Sequence, residues 1–264
     1  MKKTSASKAN KVFITYSDKG GVGKSMLARL ILNYHRTNNI PCAAFETDLN
    51  VGQLMQFYPD PNPLIGCGAF DIKDEEQASL IIDALEAFRD CNILIDLPGG
   101  VIKNLQGILG KSNRLTQTFI DMGFELHIII PITPFKSSIR PIRIANKEFG
   151  NDAIIHVFKQ LYTVGNKSVP FPNFEEKQMY TDFPTEKDFL VSVGGDVFDL
   201  PAINTTFLAD YEDVCELNLP ALQGTQRGFG DILKLPITDD WGRTSSQKLG
   251  YWIEDIDKIL KQIV

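Results

Sequence analysis

Histidine and cysteine are scarce: three of the one and four of the other in 264 residues. Cys42, Cys67, Cys91 and Cys215 show no C-x-x-C spacing, and His35, His127 and His156 form no H-E-x-x-H or similar cluster. A zinc or iron–sulfur centre is therefore not expected, and scattered thiols fit a reducing, cytoplasmic setting. Long apolar runs are missing too. The most apolar, Leu126 to Ile132, contains His127 and Pro131 and is far too short to span a bilayer. No apolar stretch follows the basic start, so a secretory signal is not expected. Nor is there an excess of positive charge. The formal net charge of −6 excludes electrostatic binding of nucleic acid by the molecule as a whole, but leaves local patches open.

What remains is ordinary for a soluble globular chain: 43% hydrophobic and 23% charged residues, and enough length for one large α/β core. Lys2, Lys3, Lys8 and Lys11 sit among Ser, Thr and Asn at the start. Residues 1–11 are expected to be a flexible basic tail, either simply disordered or making a weak DNA contact. Residues 12–264 are expected to form one domain.

The most informative segment is Lys19-Gly20-Gly21-Val22-Gly23-Lys24-Ser25. It follows a β-rich stretch, Val12 to Tyr16, and precedes an amphipathic helical pattern of Met26, Leu27, Leu30, Ile31 and Tyr34. Strand, glycine loop and helix are the context in which such a loop cradles phosphates. Glycines let backbone N–H groups turn inward, and the helix N-terminus adds partial positive charge. Lys24 would reach the terminal phosphates and Ser25 would hold Mg²⁺.

Repeated strand-then-helix units follow. Ile40 to Phe45 reads as a buried strand, after which come Glu46, Thr47 and Asp48. Ligands of open parallel sheets sit at the carboxyl ends of strands, so Asp48 either lies by the phosphates or caps the next helix. Pro59 to Gly68 reads as turn and loop, and Ala78 to Phe88 as a helix. Asn92 to Asp96 is a strand ending in an aspartate before Pro98-Gly99-Gly100, the pattern of a Walker B strand with Asp96 on Mg²⁺. Glu125 to Ile132 is the next central strand, with Thr133 to Ser138 turning into a helix. Lys136, Arg140, Arg143 and Lys147 form either a DNA-facing patch, interrupted by Pro141, or a solvated charged face. Leu249, Trp252, Ile253, Ile256, Leu260 and Ile263 fall on one face of a C-terminal helix.

The loop resembles that of the deviant Walker A ATPases, the ParA/MinD family, whose pattern is K-G-G-x-G-K-[ST]. Asp18 stands where the ordinary pattern G-x-x-x-x-G-K-[ST] has glycine. The resemblance implies a P-loop NTPase fold: α/β, a doubly wound, mostly parallel sheet flanked by helices. It implies ATP or ADP with Mg²⁺, held by Gly20, Gly21, Val22, Gly23, Lys24, Ser25, Met26 and Asp96. Lys19 would reach across a nucleotide-sandwich homodimer to the partner's phosphates. Asp48 would match the second aspartate of the family's D-x-D segment, which positions the attacking water and contacts the Mg²⁺ shell; Glu46 replaces the first. Asn166 would meet the adenine edge. Lys19, Lys24 and Asp48 are thus the expected catalytic residues, and Ser25, Asp48 and Asp96 the expected metal-site residues.

The segment Asp121 to His127, with Gly99-Gly100, is similar to the TraL and StbB group of conjugative plasmids. That group implies a slow, partner-stimulated ATPase serving plasmid partition, stability, positioning or transfer, with a plasmid-encoded protein partner and DNA as candidate partners. MinD-type proteins end in a basic amphipathic membrane helix. Here Glu254, Asp255 and Asp257 offset Lys258 and Lys261, which favours a helix packed on the core. Two further classes stay open: a metabolic P-loop enzyme of the dethiobiotin-synthetase kind, and a nucleotide-dependent positioning ATPase that binds no DNA.

Overall fold

The computed structural model describes residues 9–49, 52–111, 113–161, 163–164, 167–176, 184–202, 211–215, 226–238 and 241–264. Its strands are β1 (Asn10–Thr15), β2 (Cys42–Glu46), β3 (Gly68–Ala69), β4 (Asn92–Asp96), β5 (Phe124–Ile132), β6 (Ile154–Gln160), the hairpin pair β7 (Thr163–Val164) and β8 (Lys167–Ser168), and β9 (Asp196–Leu200). The helices are α1 (Lys24–Thr37), α2 (Gln53–Phe57), α3 (Glu75–Ala78), α4 (Leu80–Ala87), α5 (Ile102–Leu109), α6 (Asn113–Asp121), α7 (Lys136–Ile139), α8 (Pro141–Phe149), α9 (Pro172–Glu175), α10 (Glu186–Ser192), α11 (211–215), α12 (Phe229–Ile232) and α13 (Arg243–Leu260).

Seven strands form one sheet in the order β3-β2-β4-β1-β5-β6-β9, with every pairing parallel. This is a doubly wound α/β architecture, a parallel sheet flanked by helices. β1 is central, and the chain first builds the sheet to one side of it (β2, β3, β4) and then crosses to the other (β5). The carboxyl end of β1 is therefore a topological switch point, where such sheets open a crevice for ligands.

Parallel strands covered on both faces should be apolar throughout and should send alternate side chains to opposite layers. Val12, Ile14, Ile93, Ile95, Ile128 and Ile130 pack with α3 to α10 on one face. Phe13, Leu94, Ile129 and Phe158 pack with α1, α2, α12 and α13 on the other. His127 and His156 belong to this second face. Both are buried and stacked at 5.0 Å, with Nδ1 of His127 2.8 Å from Nε2 of His156. Glu125 closes one end of the pair and Asp196 the other, at 2.5 and 3.2 Å. These histidines are interior polar groups at the amino-terminal side of the sheet, remote from the switch point.

Several expectations change. Asn10 and Lys11, expected in a flexible tail, lie in β1, where Lys11 is buried and its Nζ donates to the Ile263 carbonyl at 2.6 Å; residues 1–8 of that expectation lie outside the described residues. The helix expected from Ala78 begins at Glu75, where Asp74 caps the backbone N–H groups of Glu76 and Gln77, and is interrupted at Ser79. Gly68–Ala69, read as loop, adds a two-residue strand at the sheet edge, too short to show a period in sequence. Pro141 does divide the basic stretch, as the first residue of α8. The C-terminal helix packs on the core: Leu249, Ile253, Ile256, Leu260 and Ile263 are buried, and the Trp252 indole N–H donates to the Pro201 carbonyl. No helix among the described residues is long and apolar enough to cross a membrane.

Candidate functional site

Three adjacent strands end at the switch point in one row. Thr15 of β1 pairs with Asp96 of β4, which pairs with Glu46 of β2. The Thr15 hydroxyl donates to the Asp96 carboxylate, and the Thr47 hydroxyl and N–H both reach the Asp96 carbonyl, at 2.7 and 3.2 Å. Asp96 is 2% exposed; burial raises its pKa, and hydrogen bonds from Thr15 and Ser25 oppose the rise. A carboxylate fixed by neighbouring hydroxyls at the base of a crevice presents its remaining acceptor capacity to a cation or a hydrated cation.

The loop between β1 and α1 forms the other wall. Gly21 at φ +71° and Gly23 at φ +93° lie in the region that L side chains rarely adopt. Gly23 is the N-cap of α1, with no side chain capping the first turn and no acidic residue in it. The first-turn N–H groups of a fourteen-residue helix thus border the cavity as a ready anion site. Lys24 folds back so that Nζ lies 3.4 Å from the Lys19 carbonyl, and burial lowers its pKa against the pull of Asp96, Asp18 and Asp48.

These walls enclose a cavity of about 520 Å³. Gly20, Gly21, Gly23, Lys24, Ser25, Met26, Asp48 and Asp96 all line it. Val22 and Lys19 do not, and a third expected residue lies outside the described ones. Val22 is buried, with its carbonyl accepting from Gln160 Nε2 at 2.6 Å. Lys19 points to the rim, where Nζ donates to the Ser137 hydroxyl at 2.9 Å and lies 5.4 Å from the Phe135 ring centre. Asn166 lies outside the described residues.

Asp48 stands in the loop between β2 and α2, paired with Lys73 at 3.8 Å. It does not cap α2, whose N-cap is Gly52. Glu46, read only as a replaced aspartate, organises this loop. Its two carboxylate oxygens accept the N–H groups of Asp48 and Leu54 at 3.1 and 3.0 Å, tying together both ends of the segment that carries Asp48. Burial, reinforced by Asp96, pushes its pKa up to about 7.

Arg29 is a second residue that sequence reasoning missed. It sits one helical turn beyond Ser25, 3% exposed, with its guanidinium 3.4 Å from the Phe57 ring centre and close to Tyr211 and Phe229. Its contact with Glu212 is long, 3.7 Å, and it ties α1, α2, α11 and α12 together at the edge of the cavity. No local pattern marks such a residue, because its aromatic partners come from three separate segments.

The basic stretch after β5 is partly committed elsewhere. Arg143 pairs with Glu186 at 2.8 Å and lies over the Phe189 ring at 4.2 Å. All four cysteines are buried and unbridged, and burial raises each thiol pKa, Cys42 to about 12. They are inert core residues. Among the described residues no group of three or more His, Cys, Asp or Glu is arranged to hold a metal ion.

No protein-family model matches the chain, and no curated protein matches it in sequence. Among solved structures it is similar to the MinC:MinD cell division protein complex of Aquifex aeolicus, at 13% identity over 93% of this chain and 95% of that one, with a TM-score of 0.47. It is also similar to a nucleotide-binding protein of Archaeoglobus fulgidus in complex with ADP, at 15% identity over 76% and 84% of the chains and a TM-score of 0.40. A third is a proposed plasmid partition protein of Borrelia burgdorferi B31 bound to AMPPNP, at 13% identity over 94% and 100% and a TM-score of 0.39. These are similarities of fold, and the chemistry of this chain rests on its own cavity.

Proposed function

We propose that the chain is an ATPase of the ParA/MinD type, which binds ATP with Mg²⁺ at the β1–α1 loop and dimerises on the nucleotide. The observation that carries this reading is the convergence of the glycine loop, Lys24 and Ser25 with Asp48 and Asp96 around one cavity. The residues fit the groups they are assigned. An uncapped helix N-terminus and a lysine suit a polyphosphate, and a buried carboxylate bonded to Thr15 and Ser25 suits a hydrated divalent ion. Ser25 and Asp96 would hold the Mg²⁺, which would supply charge neutralisation for the phosphates.

In this reading Lys24 neutralises the terminal phosphates. Asp48 orients a water molecule, whose oxygen attacks the terminal phosphorus as the bond to the ADP oxygen breaks, and accepts its proton. Glu46 keeps Asp48 at the cavity by holding both ends of its loop. Lys19 leaves Ser137 and contacts the nucleotide of a second chain. ATP binding and hydrolysis then alternate two states of different affinity for a partner, the logic of a switch.

The biological task is read as plasmid partition, stability, positioning or conjugative transfer, after the TraL and StbB likeness. The acidic net charge and the engagement of Arg143 by Glu186 and Phe189 favour a protein partner over direct DNA contact. Sedimentation of the protein with ADP and with AMPPNP, with and without duplex DNA, tests this. A dimer formed only with AMPPNP supports the switch, and DNA carried with that dimer restores the DNA-binding form. No change of mass with either nucleotide refutes the switch and turns attention to a metabolic P-loop enzyme.

A further inference from the structure

We propose that Gln160, at the carboxyl end of β6, is the positioning residue that holds the phosphate loop in its binding conformation by fixing the Val22–Gly23 peptide. The inference rests on the nucleotide reading above. Gln160 Nε2 donates to the Val22 carbonyl at 2.6 Å, from 138 positions away in sequence. Val22 is buried, and Gly23 lines the cavity whereas Val22 and Gln160 do not.

A trans peptide is planar, and its C=O and N–H point in opposite directions. Holding the Val22 oxygen toward β6 therefore turns the Gly23 N–H away from Gln160, to the side where Gly20, Gly21 and Lys24 border the cavity. Without the donor, a partly buried carbonyl loses this partner. The peptide is then free to turn over and present oxygen, not N–H, to an anion. The packing shows how closely the amide approaches: a Cβ on Gly23 would lie 1.7 Å from Gln160 Nε2.

The support behind Gln160 is firm. It pairs in register with Leu200 of β9, and the Leu161 N–H donates to the Leu200 carbonyl at 3.3 Å. The preceding Lys159 is held by Glu175 and Asp199, both at 2.8 Å. A side chain carried on an anchored strand end can impose one orientation on a loop of glycines that has little preference of its own.

The test uses Q160M, which keeps the length and removes the donor, and Q160E, which puts an acceptor and a negative charge in its place. ADP and AMPPNP affinities are measured by calorimetry, and the melting temperature is taken without nucleotide. Q160M should weaken both nucleotides about three- to tenfold, the loss of one hydrogen bond, with Q160E weaker still and both melting temperatures unchanged. In ¹⁵N-labelled wild-type protein the Gly23 amide resonance should move downfield with ADP, and in Q160M that shift should be lost. Q160M binding as tightly as wild type overturns the assignment. So does a melting temperature that falls in step with affinity, which would make Gln160 a support of β6 only. A loss confined to adenine nucleotides, with GDP unaffected, would make it a reader of the base and overturn the loop role. Wild-type protein that binds neither ADP nor AMPPNP overturns the nucleotide reading itself, and this inference with it.

Discussion

Substituting Gly23 by alanine tests the geometry of the loop most directly. The new Cβ would meet Gln160 Nε2 at 1.7 Å, so the Gln160 side chain must swing away and give up its bond to Val22. That loss is about 1 kcal/mol. The residue would also sit at φ +93°, where a side chain costs about 1–2 kcal/mol. In the free protein the loop can relax out of this conformation, so most of the cost appears on binding. Affinity for ADP should fall about 30- to 140-fold for a total of about 2–3 kcal/mol, while the nucleotide-free melting temperature changes little. The cycle with Q160A adds a sharper criterion. Both substitutions remove the same hydrogen bond, so their effects should be non-additive by about 1 kcal/mol. Strict additivity, or an unchanged affinity in Gly23→Ala, would show that the loop does not depend on this packing.

Four further outcomes are expected. Asp48→Ala should lower turnover about 10²- to 10⁴-fold, the range of a positioned general base, with nucleotide binding retained; full turnover in a steady-state assay would remove Asp48 from the mechanism. Lys19→Ala should leave monomer ADP affinity unchanged in calorimetry and abolish the AMPPNP-dependent dimer in sedimentation. Ile256→Ala, at a fully buried position of α13, should destabilise the fold by about 2–5 kcal/mol in denaturant titrations, since this helix covers the core. Acid should also destabilise the protein through His35, which is buried and held neutral with a pKa lowered to about 4, its Nδ1 2.8 Å from the Ile31 carbonyl. Between pH 6.5 and about 4 the unfolded chain binds this proton and the folded one does not. The contribution is therefore complete above pH 6.5 and is lost as pH falls toward 4, on the order of 3 kcal/mol. His35→Phe should flatten that part of the stability profile.

The sequence by itself determined what is local. Strand, glycine loop and helix lie within one contiguous stretch, so backbone freedom at Gly21 and Gly23 and the start of α1 can be read without knowing the rest. The apolar runs of β4 and β5, the break at Pro141 and the apolar face of α13 are likewise short-range patterns that the structure contains, although α13 runs from Arg243 to Leu260, so Ile263 falls beyond its end. Only the tertiary structure decided what depends on strand order. Placing β4 between β1 and β2 is what sets Thr15, Asp96 and Glu46 side by side. No spacing in the chain encodes that pairing, because parallel register is made across crossover connections and fixed by helices packed on both faces. The same holds for Gln160 over Val22, for Arg29 among Phe57, Tyr211 and Phe229, and for Glu46 closing the Asp48 loop. Periodicity names the residues that point inward. Which of them meet is settled by the one arrangement of layers that buries them all and leaves the carboxyl ends of three strands open at a single crevice.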